Sequence, residues 1–163
     1  MARSALLDVG RQTIVGMGQI VAAAAPGELA AVLGSCIGVT LYHPRLRLGA
    51  MAHVVLPQSS GPAAGPAKFA DLAVPNMIAE LERRGAGRSG LVAKMAGGAC
   101  MFGNSGPLQI GPANIEAVRR ALAAAGLPLA AEDVGGSKGR RIALDLVRGT
   151  LTVEIAGVPD KVL

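Results

Sequence analysis

At 163 residues the chain is one domain's worth, and 51% apolar against 17% charged residues excludes a disordered chain. The net charge of +5 is spread over singles and pairs such as Arg45/Arg47, Arg83/Arg84, Arg119/Arg120 and Arg140/Arg141, without a basic helix or aromatic stacking motif, so no nucleic-acid partner is expected. No apolar run reaches the roughly 18 residues of a membrane span and the first residues lack a signal-peptide core, so a cytoplasmic protein without direct membrane insertion and with reduced cysteines is expected.

Residues 1–12 read as a frayed end or an edge. Thr13 to Ala25 is apolar but broken by Gly16 and Gly18, which predicts a strand with a close backbone approach, closed by a Pro26-Gly27 turn. Leu29 to Leu33 predicts a short buried strand leading to Gly34. Ile37 to Tyr42 and Leu48 to Leu56 predict two strands of a hairpin turning near residues 44–47, which places position 36 opposite position 54 or 55.

Residues 58–67, rich in Ser, Gly, Pro and Ala, predict a mobile loop. Phe69, Leu72, Val74, Met77, Ile78 and Leu81 follow helical spacing, with Pro75 marking a kink or the true first turn. Leu91 to Met95 predicts a strand, Gly111-Pro112 opens a second helix running to Gly126, and Leu127 to Val134 predicts another strand. Ile142, Leu144, Leu146 and Leu151, Val153, Ile155 alternate on either side of Arg148-Gly149, the clearest hairpin in the chain. The expected fold class is α+β (mixed α/β): a single-domain layered sandwich over 1–163 with about eight strands and two main helices.

Two cysteines and two histidines supply the candidates for nucleophilic chemistry. Cys36 follows a glycine turn and His53 sits on the returning strand, so the hairpin brings a thiol and an imidazole to neighbouring strands about 4.8 Å apart. A thiol becomes a strong nucleophile only as thiolate, which an adjacent imidazole promotes, and the backbone N–H groups of Gly34-Ser35-Cys36 are placed to receive an oxyanion. Locally the reading stays open, because a small buried cysteine and a core histidine need no function. Cys100 has no histidine nearby in sequence, and His43 beside Pro44 reads as solvated. The four residues fit no closed zinc site. A nucleophile elbow is excluded because Ile37–Tyr42 reads as strand, not helix, and no histidine follows His53. The glycine pairs at 97–98 and 135–136 lack the Lys-Ser/Thr of a phosphate loop and read as positions of backbone crowding.

Taken together, Val15-Gly-Met-Gly18, Leu33-Gly-Ser-Cys-Ile-Gly-Val39, Gly49-Ala-Met-Ala-His-Val-Val-Leu-Pro57, Phe69-Ala-Asp71, Leu91-Val-Ala-Lys-Met95, Gly97-Gly-Ala99, Met101-Phe102, Ile110-Gly111, Asn114-Ile115 and Glu132-Asp-Val-Gly-Gly136 resemble the chemoreceptor glutamine deamidase family, CheD. The resemblance implies a layered sandwich similar to cysteine-hydrolase-like deamidating toxins. It further implies hydrolysis of receptor glutamines to glutamate through a cysteine thioester, with no metal or organic cofactor. The implied partners are methyl-accepting chemotaxis receptors, as substrate, and a CheC-family phosphatase. By position, Cys36 would be the nucleophile and His53 its base, with Gly34 and Ser35 at the oxyanion turn. The family pattern carries a threonine six residues before the cysteine, where this chain has Ala30. Ser35, Thr40 or a backbone carbonyl would then hold the imidazole. The alternative reading is a catalytically weak adaptor between receptors and the phosphatase.

Overall fold

Apolar residues on both faces of the central strands sort this chain into layers. In a computed structural model describing residues 11–61, 65–101 and 109–163, the described residues form ten strands in two five-stranded sheets, with two α-helices. The first sheet runs β1 (Gln12–Ile14), β3 (Glu28–Leu33), β8 (Arg140–Asp145), β9 (Leu151–Glu154) and β10 (Lys161–Val162). The second runs β2 (Ile20–Ala24), β5 (Leu48–Val54), β4 (Ile37–His43), β6 (Val92–Gly97) and β7 (Leu129–Val134). Pairing is antiparallel except for β1 with β3 and β6 with β7.

Strand alternation then assigns the faces. Ile37, Val39 and Leu41 of β4, with Ala50, Ala52 and Val54 of β5, pack against α1 (Ala70–Arg83) and α2 (Ile110–Ala124) through Val74, Met77, Leu81, Ile115, Val118 and Leu122. Met51 of β5 lies on the other face, in a cluster with Leu29, Ala31, Leu33, Ile142 and Leu144 of the first sheet. The layers are therefore helices, second sheet, first sheet. Gly38 sits at the sheet–sheet contact, where a Cβ would come within 2.3 Å of Ile142 Cδ1 and that side chain would have to shift.

Tyr42 ties the two sheets together: its hydroxyl donates to Leu146 O at 2.7 Å from a side chain only 5% exposed. Removing that hydroxyl in Tyr42→Phe leaves a buried carbonyl one bond short, and is expected to cost about 1 kcal/mol, read as a lower urea midpoint.

The structure corrects the single strand expected over Thr13–Ala25. It divides into β1 and β2, which lie in different sheets, at a turn closed by Gln19 N–H donating to Gly16 O, with Gly18 at φ +77°. That turn and the two-residue β10 account for ten strands where about eight were expected. Helix α1 starts at Ala70 and continues past Pro75, which is neither its first turn nor its end. The expectation for residues 1–10 and the motif residue Phe102 lie outside the described residues. So does the centre of the 58–67 loop, whose flanks are tied by Ser59 N–H and Oγ–H to the Asp71 carboxylate and by Ala67 N–H to Gly18 O. Among the described residues, no helix is long and apolar enough to cross a membrane.

Candidate functional site

The β4–β5 hairpin forms in the expected register. Ile37 faces Val54 and Gly38 faces His53, so Cys36, one residue ahead of β4, comes opposite Val55. Cys36 and His53 are thus diagonal neighbours, a relation that puts Cβ atoms about 7–8 Å apart or somewhat less. The intervening position opposite His53 is a glycine and adds no side chain. Cys36 packs against the inter-sheet cluster, on the face of the second sheet that alternation also gives His53.

His53 is held on three sides by one segment. Its side chain Nδ1–H donates to Val15 O at 3.0 Å, its backbone N–H donates to Gln19 O, and its carbonyl accepts from Gly18 N–H. A carbonyl only accepts, so this hydrogen bond puts a proton on Nδ1, and in the neutral imidazole the lone pair is then on Nε2. Val15 is fixed in turn by its N–H, which donates to Ala30 O at 2.8 Å.

Ala30 thus contributes its backbone carbonyl to the support of the imidazole. Its methyl group has no hydrogen-bonding atom, and Ala30, itself 0% exposed, pairs with Ile14 on the face away from its neighbours Leu29 and Ala31, which pack between the sheets. Thr40 is engaged elsewhere, its hydroxyl donating to Lys94 O at 3.4 Å.

The three carbonyls of the Gly34–Cys36 turn are all drawn back into the protein. Gly34 O accepts from Ala99 N–H at 3.0 Å, Ser35 O from Asn114 Nδ2 at 3.0 Å, and Cys36 O from Gly98 N–H at 2.9 Å. Each trans peptide points its N–H opposite the preceding carbonyl, so the N–H groups of Ser35 and Cys36 are turned away from these anchors. Among the described residues, neither N–H has a hydrogen-bond acceptor. Gly97 makes the close approach possible: at φ +117°, a Cβ there would lie 2.2 Å from Cys36 O. Burial pushes the Cys36 thiol above its ordinary range.

Other sequence candidates are placed apart from this pair or behind it. His43 lies at the far end of β4, partly exposed, with Nδ1 accepting from Leu46 N–H. Cys100 donates its N–H to Gly136 O, in the loop that backs Gly97 and Gly98. Among the described residues, no group of three or more His, Cys, Asp or Glu side chains is arranged to hold a metal ion. A hollow of about 420 Å³ lined by Pro57, Ile78, Arg88, Arg120 and Ala121 lies between the helices and includes neither Cys36 nor His53.

Sequence reasoning assigned no role to two residues that shape the site. Val15 acts through a backbone carbonyl, which no residue type announces. Asn114 is a buried amide on the apolar stripe of α2, and that misfit was the available signal.

Comparison with known proteins adds a family context. A family model described as CheD chemotactic sensory transduction matches residues 55–155. The chain is 45% identical over 155 residues to a probable chemoreceptor glutamine deamidase CheD of Symbiobacterium thermophilum, covering 90% of this chain and 94% of that one. It is 41% identical over 145 residues to the chemoreceptor glutamine deamidase CheD of Thermotoga maritima, covering 88% and 92%. Among solved structures, the Bacillus licheniformis hypothetical protein YfiH matches with a TM-score of 0.46 at 21% identity, over 70% of this chain and 49% of that one.

Proposed function

The chain belongs to the CheD family, and we propose that it is a chemoreceptor glutamine deamidase using Cys36 as nucleophile and His53 as general base. The observation that carries the proposal is the imidazole bound through Nδ1 to Val15 O, with its free Nε2 one strand away from the thiol.

The reaction follows from that arrangement. As Cys36 Sγ attacks the glutamine carboxamide carbon, its proton passes to His53 Nε2, and the Val15 carbonyl favours the resulting imidazolium through Nδ1–H. The oxyanion is received by the N–H groups of Ser35 and Cys36. Nε2–H then protonates the departing nitrogen, the C–N bond breaks, and ammonia leaves a thioester. Water, deprotonated by Nε2, attacks that thioester, and glutamate is released as the sulfur regains its proton. No step calls on a metal or organic cofactor.

Two exposed methionines support a protein substrate: Met17, 71% exposed in the segment that wraps His53, and Met101, 50% exposed with its sulfur over Gly34. Flexible thioethers suit an apolar helix face beside the target glutamine. We place the protein in the cytoplasm as a single deamidase domain over 1–163, with a CheC-family phosphatase as second partner. The adaptor reading drew on Ala30. An imidazole already anchored by Val15 O favours turnover over that alternative.

Incubation with a receptor cytoplasmic fragment, followed by mass spectrometry, tests the proposal. Amide-to-acid conversion at selected glutamines is expected, and its absence with native protein overturns the reading. A thiol raised by burial further predicts that iodoacetamide alkylation of free-protein Cys36 keeps accelerating as pH rises beyond the ordinary thiol value of about 8.5. A rate already level by neutral pH would instead reveal a preformed thiolate–imidazolium pair.

A further inference from the structure

We infer that Asn114 is a positioning residue for the oxyanion site, one that turns the Ser35–Cys36 peptide so that Cys36 N–H faces the substrate. The inference deepens the deamidase reading and rests on it for its catalytic readout.

Asn114 sits in α2 with 0% exposure, on the helix face that also buries Ile115, Val118 and Leu122. Its Nδ2 donates one hydrogen to Ser35 O at 3.0 Å and the other to Val55 O at 2.9 Å. Both partners are carbonyls, which only accept, so the orientation of the amide is fixed by the contacts. Its Oδ1 is buried and has no hydrogen-bond partner. A helix that needed only packing here would keep an apolar side chain of the same size and bury no orphaned acceptor. The two donated hydrogens are what this position supplies.

Their targets are the two halves of the site. Val55 lies just past β5, opposite Cys36 and two residues beyond His53. Ser35 O belongs to the peptide whose N–H is that of Cys36. Drawing this oxygen towards α2, on the helix side of the second sheet, turns Cys36 N–H to the opposite side. That is the side on which Cys36 packs and His53 lies. One amide thereby sets both the direction of an oxyanion donor and the separation between the nucleophile's turn and the strand of the base.

The test separates oxyanion stabilisation from thiol reactivity. Iodoacetamide is attacked at a saturated carbon and loses iodide, so no oxyanion forms, whereas amide hydrolysis passes through one. Asn114→Leu and Asn114→Ala are expected to lower kcat on a receptor fragment about 100-fold, with KM and the alkylation rate of Cys36 at one fixed pH each within about threefold of native. Unchanged kcat overturns the inference. So does a parallel fall of kcat and alkylation, which would mean that the whole turn had collapsed.

Should both variants fail to fold, the native protein still decides the matter. A peptide carrying an aldehyde in place of the glutamine carboxamide forms a hemithioacetal with Cys36, and the Cys36 amide proton is expected to move downfield in the NMR spectrum as it binds the new oxygen. A stationary resonance overturns the inference. Native protein that deamidates no receptor fragment sinks the functional reading instead, a distinct outcome.

Discussion

Cys36→Ala is expected to reduce glutamine deamidation by at least about 10⁴-fold, to the background of the receptor fragment alone, because the bond-forming atom itself is gone. His53→Ala is expected to fall nearly as far. With the thiol held above its ordinary range by burial, little thiolate exists without a base to take its proton. Nucleophile and base act as one unit, so the double variant is expected to be no worse than either single one. Both side chains sit at the end of the β4–β5 hairpin, whose ladder from Ile37–Val54 to His43–Leu48 does not depend on them. Initial rates by mass spectrometry, with unfolding curves run in parallel, distinguish lost chemistry from lost fold. Full conversion by folded Cys36→Ala would remove the cysteine from the mechanism. Full conversion by His53→Ala alone would require another base.

The hairpin was legible in the sequence because a short basic turn joins two apolar runs, and that leaves little freedom of register. Position 36 was expected opposite 54 or 55, and Ile37 pairs with Val54. The first part of the chain was less legible. The residues on either side of Gly16–Gly18 are equally apolar, and only tertiary pairing sends Gln12–Ile14 to one sheet and Ile20–Ala24 to the other. The imidazole's anchor was illegible for a different reason. Side chains can be searched for by residue type, but the acceptor is the carbonyl of Val15, fixed by its own N–H on Ala30 O. Ala30 looks like a lost polar group when read as a letter. In space its side chain is fully buried on the face of β3 opposite to Leu29 and Ala31, and its carbonyl supports the imidazole at one remove. Likewise the glycine pair at 97–98 was readable as crowding, but what crowds it, the carbonyl of Cys36, is a feature of the folded chain alone.

Arg140→Ala is expected to be the most destabilising of the substitutions considered, by about 3 kcal/mol, because it strands a buried carboxylate. The Arg140 side chain is 3% exposed and that of Asp133 is 9% exposed. Nη1 donates to Asp133 Oδ1 at 2.5 Å and to Asp133 O at 2.9 Å, while Nη2 donates to the carbonyls of Gly135 and Lys138. Lys161 Nζ lies 2.7 Å from Asp133 Oδ2 and remains in the variant, which keeps the expected loss at the lower end for a broken buried pair. This guanidinium shapes the loop from β7 to β8, whose Gly135 N–H donates to Gly97 O and whose Gly136 O accepts from Cys100 N–H. Loosening it relaxes the support behind Cys36. Acid provides an independent check. Burial raises the Asp133 carboxyl, but the hydrogen bond from Lys161 and the charges of Arg140 and Lys161 outweigh it and hold the group below its ordinary value. A carboxyl depressed in the folded state stabilises above its unfolded pKa of about 3.9, and that contribution disappears as pH falls through the native value. The urea-midpoint gap between native protein and Asp133→Asn is therefore expected to be flat above about pH 5 and to narrow below about pH 4. A gap that widened in acid would show that Asp133 is destabilised by its burial and not held by its cations.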